Sequence, residues 1–315
     1  MSDLKIPFLY IPAFKRHGFS DGHPESPLRV EAIVRFLASG PLAPRLETVE
    51  PRAASFEELL LVHTEDYLLR LEEACLQGLS SIDGPDNEIS PDSFEVARLA
   101  AGAALKAVDL VEKGYPLALC PVRPPGHHAL PGRALGFCLL NNVALAARYW
   151  QENFGRRLLI LDWDAHHGNG IQEVFYEDPQ VFYVSLHEDP QQSFPGTGFP
   201  EERGQGAGEG YTLNVPLPLE SGDQALLRLF EEIVEPAVEG FSPEGIVLAC
   251  GFDGHREDDF SFLNLSTQVF EELSRRVRGW QRKFGAPVIS VLEGGYHLPS
   301  LAASYEAHLC GLLGK

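Results

Sequence analysis

Short apolar runs bounded by turn residues alternate along this chain with longer stretches in which apolar positions recur at helical spacing. The short runs, at 8–11, 117–120, 157–162, 181–186, 245–250 and 287–292, predict strands. Several are apolar at every position, as strands covered on both faces of a parallel sheet must be. The amphipathic stretches predict helices over 27–37, 56–76, 93–111, 142–152, 224–238, 266–284 and 299–312. Strand–helix alternation through all 315 residues predicts one α/β domain, a parallel sheet with helices on both faces. No repeat, low-complexity tract or long linker interrupts it. Residues 191–210, rich in Gly, Pro, Gln and Glu, read as a long functional loop, and 80–91 as a second exposed loop.

Bulk properties narrow the function. Hydrophobic residues make up 44% of the chain, enough for a sizeable core. No apolar run reaches the roughly 18 residues of a spanning helix, which argues against a membrane protein. The opening Met1-Ser-Asp-Leu-Lys-Ile lacks the charged and apolar regions of a secretory leader. The five cysteines, Cys75, Cys120, Cys138, Cys250 and Cys310, are scattered, odd in number and without a C-x-x-C pair. A disulfide framework or zinc knuckle is therefore not expected, and a reducing, cytoplasmic setting is. A formal net charge of −20 argues against direct nucleic-acid binding. It would attract cationic substrates such as lysine-rich tails or polyamines, although solubility or a salty habitat accounts for it more simply.

The chemistry-bearing residues all follow a predicted strand. Leu158-Leu-Ile-Leu-Asp162-Trp-Asp164-Ala-His166-His167-Gly168-Asn169-Gly170 begins as a buried strand and ends in alternating acids and a histidine. Side chains two apart share a face, so Asp162, Asp164 and His166 are expected to point the same way at the strand's C-terminal end. That end is where open α/β sheets bind ligands. The bland alternative is a helix cap and a solvated turn. Other strands lead into Arg123-Pro-Pro-Gly126-His127-His128-Ala129, Phe194-Pro-Gly196-Thr-Gly198, Gly251-Phe-Asp253-Gly-His255 and Glu293-Gly-Gly295-Tyr296. A first stretch downstream of the His pair reads Gly136-Phe137-Cys138-Leu-Leu-Asn141-Asn142.

Asp164, His166 and Asp253 supply three metal ligands and leave a position open for water, the pattern of a catalytic site, with zinc the first choice. Such donors also accept Fe2+ or Co2+. One histidine of the His127-His128 pair would act as base, with Asp162 and Asn169 fixing the ring tautomers. The Tyr296 hydroxyl would donate to a developing oxyanion. Together the parts fit metal-assisted hydrolysis of an amide. Taken singly, a His-His pair or a Gly-Gly-Tyr turn is more often structural.

These stretches, with His23-Pro24-Glu25-Ser-Pro27-Leu-Arg29 near the start, resemble the histone deacetylase family. The Pro-Pro-Gly before the histidines, Asn169 and Leu292-Glu-Gly-Gly look like its class II and bacterial amidohydrolase branch. The resemblance spans nearly the whole chain. It implies the arginase/deacetylase fold, with a sheet of about eight strands. It implies zinc on Asp164, His166 and Asp253, and His128 as general base and then acid. His127, paired with Asp162, would be its electrostatic partner, and Tyr296 would polarise the acyl carbonyl. Gly136, Phe137, Phe194 and Phe260 would line the tunnel for an acyl-lysine stem, with Asp86 gripping the substrate at the rim.

The resemblance also implies K+ or Na+ sites. One would use main-chain oxygens of Asp162, Asp164 and His166 with Ser185 and Leu186. The other would use Phe175, Asp178, Val181 and Tyr211. Arginase-like relatives hold two manganese ions through Asp-Ala-His-x-Asp. Here Gly168 stands where the second aspartate would be, which favours one metal and deacetylation. The expected substrate is acetyl-lysine in a protein or peptide. Acetylated polyamines are the alternative, and the apolar Phe260 argues mildly against them. A non-catalytic acyl-lysine binding module would be expected to lack Tyr296, a ligand or the His pair, and all are present. Oligomeric state, a homo-oligomer included, is left open.

Overall fold

The computed structural model describes residues 5–18 and 22–315. Residues 1–4, part of the segment read above for a leader, lie outside them. Eight strands follow in chain order: β1 (Ile6–Leu9), β2 (Leu46–Val49), β3 (Leu117–Cys120), β4 (Leu158–Asp162), β5 (Val181–Glu188), β6 (Thr212–Leu217), β7 (Gly245–Cys250) and β8 (Val288–Leu292). They form one sheet in the order β2-β1-β3-β8-β7-β4-β5-β6. Every neighbouring pair is parallel.

The helices are α1 (Leu28–Ser39), α2 (Phe56–Leu59), α3 (Glu65–Leu76), α4 (Ser93–Glu112), α5 (Asn142–Phe154), α6 (Asn169–Phe175), α7 (Asp223–Leu229), α8 (Glu235–Phe241), α9 (Thr267–Phe284) and α10 (Leu298–Leu313). β3, β4, β5, β7 and β8 are buried at every position. That pattern requires helices on both faces of the sheet. α4 and α5 pack on each other and on the central strands, while α1, α9 and α10 form a second group. Among the described residues no helix is long and apolar enough to cross a membrane.

Three expectations need adjusting. The helix predicted over 56–76 is two helices. Ser55 and Glu58 close a capping box on α2, and Thr64, followed by Glu65 and Asp66, caps α3 separately. The helix predicted over 224–238 carries a π turn at Phe230–Val234 between α7 and α8. β2 and β6 carry no strong strand signal. Both are edge strands, and β6 holds Pro216 while β2 reads Leu-Glu-Thr-Val, half exposed.

β3, β8, β7 and β4 lie side by side. Their C-terminal loops therefore converge at one place, and the loop after β5 borders it.

Candidate active site

Three side chains from two of these loops meet in the interior. One ligand atom each from Asp164, His166 and Asp253 lies within 4.8 Å of the other two. The His166 Nδ1 stands 3.2 Å from Asp164 Oδ1 and 3.0 Å from Asp253 Oδ2. Backbone donors hold the carboxylates from behind. Gly294 N–H donates to Asp164 Oδ2 at 2.7 Å, and Ala165 N–H donates to Asp253 Oδ1 at 3.0 Å. A Cβ at Gly294 would stand 2.5 Å from an oxygen of each carboxylate, so only glycine leaves the acids room there. Burial and the neighbouring Asp164 push Asp253 up to about 6. Against burial, hydrogen bonds to Asp164 and Asp253 hold His166 well above its ordinary value. Two buried acids and an imidazole this close could hold a metal ion, and their oxygen and nitrogen donors suit a divalent one.

The two histidines from the loop after β3 sit beside this cluster with opposite environments. His127 Nδ1 donates to Asp162 Oδ2 at 3.1 Å, and its Nε2 lies 3.8 Å from Asp164 Oδ1. Burial disfavours charge on His127, but Asp164 and then Asp162 hold it up to about 10. His128 Nδ1 pairs with Asn169 Oδ1 at 2.8 Å. Because that oxygen only accepts, the His128 proton resides on Nδ1 and leaves Nε2 as an acceptor. Burial, then the charge on His127 and His166, keeps His128 well below its ordinary value. The two rings are 3.9 Å apart, and His128 lies 6.1 Å from His166. A pair of titratable groups pushed apart in this way divides into an acid form and a base form.

Aromatic side chains form the approach. Phe194 meets His128 edge-on at 5.0 Å, and Phe137 meets Tyr296 at 5.8 Å. Phe260 closes the ring, 4.5 Å from Tyr296 and 6.3 Å from Phe137. Gly136 takes a left-handed conformation where a Cβ would lie 2.6 Å from His128 Cδ2. Phe137 itself has φ +68, a strained geometry costing about 1–3 kcal/mol that surrounding contacts must hold. Asp86 and Asn87 do so, since Asp86 Oδ2 accepts from Gly136 N–H at 3.2 Å and Asn87 Oδ1 from Phe137 N–H at 3.1 Å. Asp86 thus sits beneath the aromatic wall at the mouth. The 191–210 loop carries Phe194. His167 (to Thr197, 2.8 Å), His187 (to Gly198 O, 2.9 Å) and Glu202 (to Gly198 and Phe199 N–H) tie it down.

Sequence reading did not assign the groups that brace these loops. Glu293 Oε2 accepts from Gly126 N–H and His127 N–H at 2.7 and 3.0 Å. Burial pushes Glu293 up to about 7. Tyr183 Oη lies 3.2 Å from Asp162 Oδ2. Asp258 Oδ2 accepts from Tyr296 N–H and His297 N–H at 2.6 and 2.9 Å. Glu25 is fully buried between Arg29 and Arg123, at 3.0 and 2.9 Å. Arg29 in turn donates to the carbonyls of Gly295 and Glu293 and lies 4.9 Å from the Tyr296 ring centre. Glu25, Arg29, Arg123 and Glu293 do fall inside the quoted motifs, which was the available signal.

The residues of the two alkali-cation readings lie at two places around β4, β5 and β6. Asp162 and Ser185, of the first group, are register partners on β4 and β5. Arg148 packs beside Phe175 and Asp178, of the second group. The Arg148 guanidinium pairs with Asp178, donates to Val174 O at 2.8 Å and lies 4.5 Å over the Phe175 ring. The carbonyls of Phe175 and Tyr211 each accept one backbone N–H, which leaves each oxygen a second lone pair.

Known proteins resemble this chain in sequence and fold. The histone deacetylase domain family model matches residues 23–312. A probable deacetylase of Archaeoglobus fulgidus is 40% identical over 287 residues, covering 90% of this chain and 79% of the relative. The histone deacetylase-like amidohydrolase of Pseudomonas aeruginosa is 39% identical over 283 residues, 87% of this chain and 73% of its own. Histone deacetylase 10, chloroplastic, of rice (Oryza sativa subsp. japonica) is 38% identical across 100% of this chain and 74% of its own length. The crystal structure of the HDA15 HD domain superposes with a TM-score of 0.92 at 33% identity, over 99% of this chain and 90% of that one. The chain has the arginase/deacetylase-like α/β fold and belongs to the histone deacetylase family of deacetylase-type amidohydrolases.

Proposed function

We propose that this protein is a zinc-dependent deacetylase that removes acetyl groups from the ε-amine of lysine in proteins or peptides. The observation carrying this reading is the convergence of Asp164, His166 and Asp253 beside the His127–His128 pair. The ion, held by those three residues, would supply Lewis acidity toward the scissile carbonyl and water. His128 Nε2 then takes the proton of the attacking water and returns it to the leaving amine. His127, kept charged by the buried acids, stabilises negative charge as it develops. The Tyr296 hydroxyl donates to the oxyanion, and Asp258 and Arg29 fix the turn that carries it. Phe137, Phe194 and Phe260 present an apolar passage suited to the lysine stem rather than to a charged polyamine backbone. Asp86 is positioned to receive the peptide at the mouth. Potassium or sodium is assigned to the group around Asp162, Ser185 and Leu186. Residues 1–315 act as one catalytic domain in this reading.

The test is kcat/KM of zinc-loaded protein on acetyl-lysine peptides and on N-acetylputrescine and N-acetylspermidine, with Tyr296→Phe as control. Preference for peptides, lost by about a hundredfold or more in the control, is expected. Preference for the small amines would replace lysine by polyamine as substrate. No turnover of either would overturn the reading.

A further inference from the structure

The opposite edge of the sheet carries a cleft that this chemistry does not use. Its volume is about 660 Å³, and Ile6, Leu117 and Pro287 border it where β1, β3 and β8 begin. A cavity of this size falls within the usual range for small-molecule sites. Lys5, Arg45, Arg156, Arg278 and Arg282 line it, against a single carboxylate, Glu112. Glu112 is already committed, accepting from Arg156 Nε at 2.9 Å and from Trp150 Nε1 at 2.6 Å. Among the described residues the other four cations form no ion pair.

Composition does not produce this. The chain holds 45 acidic residues against 25 basic ones, so a cation is far more readily paired than left alone. α9 makes the point within one helix. Its Arg275, Arg276 and Lys283 reach Glu271, Glu272, Glu231, Glu235 and Glu239. Its Arg278 and Arg282, which face the cleft, reach none. They are four residues apart, a like-charge spacing that destabilises a helix. Burial and the charge of Arg282 hold Arg278 below its ordinary value. Arg282, in the last turn, gains from the helix dipole. That does not account for Lys5 and Arg45, which come from different segments. The remaining lining is mostly apolar, with Ile6, Leu117, Ala286 and Leu312 beside Tyr115 and Gln281, whose amide donates to Pro116 O.

We propose that this cleft binds a small organic polyanion with an aromatic or apolar body, the chemistry of a nucleoside diphosphate. The converging guanidinium and ammonium groups would take the phosphates, and the apolar lining would take the body. Acidic proteins would need a flat or open surface, whereas the cations here surround a concavity.

Isothermal titration of the full-length, zinc-loaded protein with ADP, AMP and pyrophosphate tests this, at about 50 mM salt so that screening is modest. ADP is expected to saturate the protein, with AMP weaker for lack of charge and pyrophosphate weaker for lack of a body. The double variant Arg278→Ala/Arg282→Ala should lose roughly tenfold or more in ADP affinity. Its kcat/KM on acetyl-lysine peptide should be unchanged, which also shows that it folds. Arg276→Ala, on the carboxylate-paired side of α9, should bind ADP as the parent does. No saturable ADP binding up to about 5 mM would overturn the proposal, as would equal ADP affinity in the parent and the double variant. Pyrophosphate binding as tightly as ADP would overturn the assignment of the apolar lining.

Discussion

At the C-terminal edge of the sheet, Asp162, Asp164, Asp253 and Glu293 are buried alongside His127, His128 and the partly buried His166, and each is held by a named partner. At the N-terminal edge, Lys5, Arg45, Arg278 and Arg282 stand around open space, and among the described residues none of them pairs with a carboxylate. Burying charge without a partner costs several kcal/mol, whereas a half-exposed cation keeps its water. The first edge is therefore fixed by its own energetics, and its side chains are aimed before any ligand arrives. The second can tolerate mutual repulsion, which a bound anion would relieve. Perturbing the two edges should give effects of very different size.

The largest effect is expected at the cluster. Asp253→Asn keeps the shape but removes one negative ligand. kcat/KM should fall by roughly a thousandfold or more, as follows from losing several kcal/mol of transition-state stabilisation. Zinc content, measured by elemental analysis after dialysis, should fall with it. Full activity with bound zinc would mean that Asp253 is not a ligand.

The bracing network comes next. Glu25→Ala would leave Arg29 and Arg123 buried without their counter-ion, a change worth about 3–5 kcal/mol. Urea unfolding should show that loss, and activity should drop too, because Arg29 holds the Gly295 and Glu293 carbonyls. A loss below about 1 kcal/mol would show that the two guanidiniums find enough acceptors in backbone carbonyls alone.

Acid exposes the cost of buried neutral imidazoles. Burial lowers His63 to about 4 and His308 to about 3, from an ordinary 6.5. Below pH 6.5 the unfolded chain binds protons that the folded chain refuses, so stability present above 6.5 is lost as pH falls toward 4. Each histidine contributes a slope of about 1.4 kcal/mol per pH unit in that window. His308 is held by Ser274 and Ser290 at 2.6 and 2.9 Å, so His308→Gln keeps a donor and an acceptor there. Urea midpoints between pH 7 and 5 should fall less steeply in that variant. An unchanged slope would place the acid sensitivity elsewhere.

The same contrast governs what could be read in the sequence. Asp164, His166 and Asp253, the His pair, Asn169 and Tyr296 lie in contiguous motifs directly after apolar strands, because strand ends are where parallel sheets build sites. Residues two or three apart there reach one center through local geometry. The central strands were legible for the same reason, being apolar throughout, whereas the edge strands β2 and β6 were not. Glu25 meeting Arg123, and Asp258 meeting Tyr296, depend on loops that only the folded sheet brings together. Arg45 and Arg278 lie 233 positions apart in the numbering, with no periodicity or motif linking them. Side chains that act through contacts at such separation carry no local signal.

The smallest effects fall on α9, and they sharpen the comparison most. Arg276 is met by Glu231, Glu235 and Glu272 on a partly exposed face. Such surface pairs contribute about 0–1 kcal/mol, so Arg276→Ala should destabilise the protein slightly. Arg282→Ala removes a cation that has no carboxylate and lies four residues from Arg278. Relief of that repulsion, about 0.2–0.5 kcal/mol, opposes the lost dipole interaction of similar size. Its urea midpoint should therefore match the parent's within error, at low salt as at high, since salt screens both opposing interactions. Should Arg282→Ala cost as much as Arg276→Ala at every salt concentration, Arg282 would have a structural partner, and the N-terminal edge would be as self-sufficient as the C-terminal one.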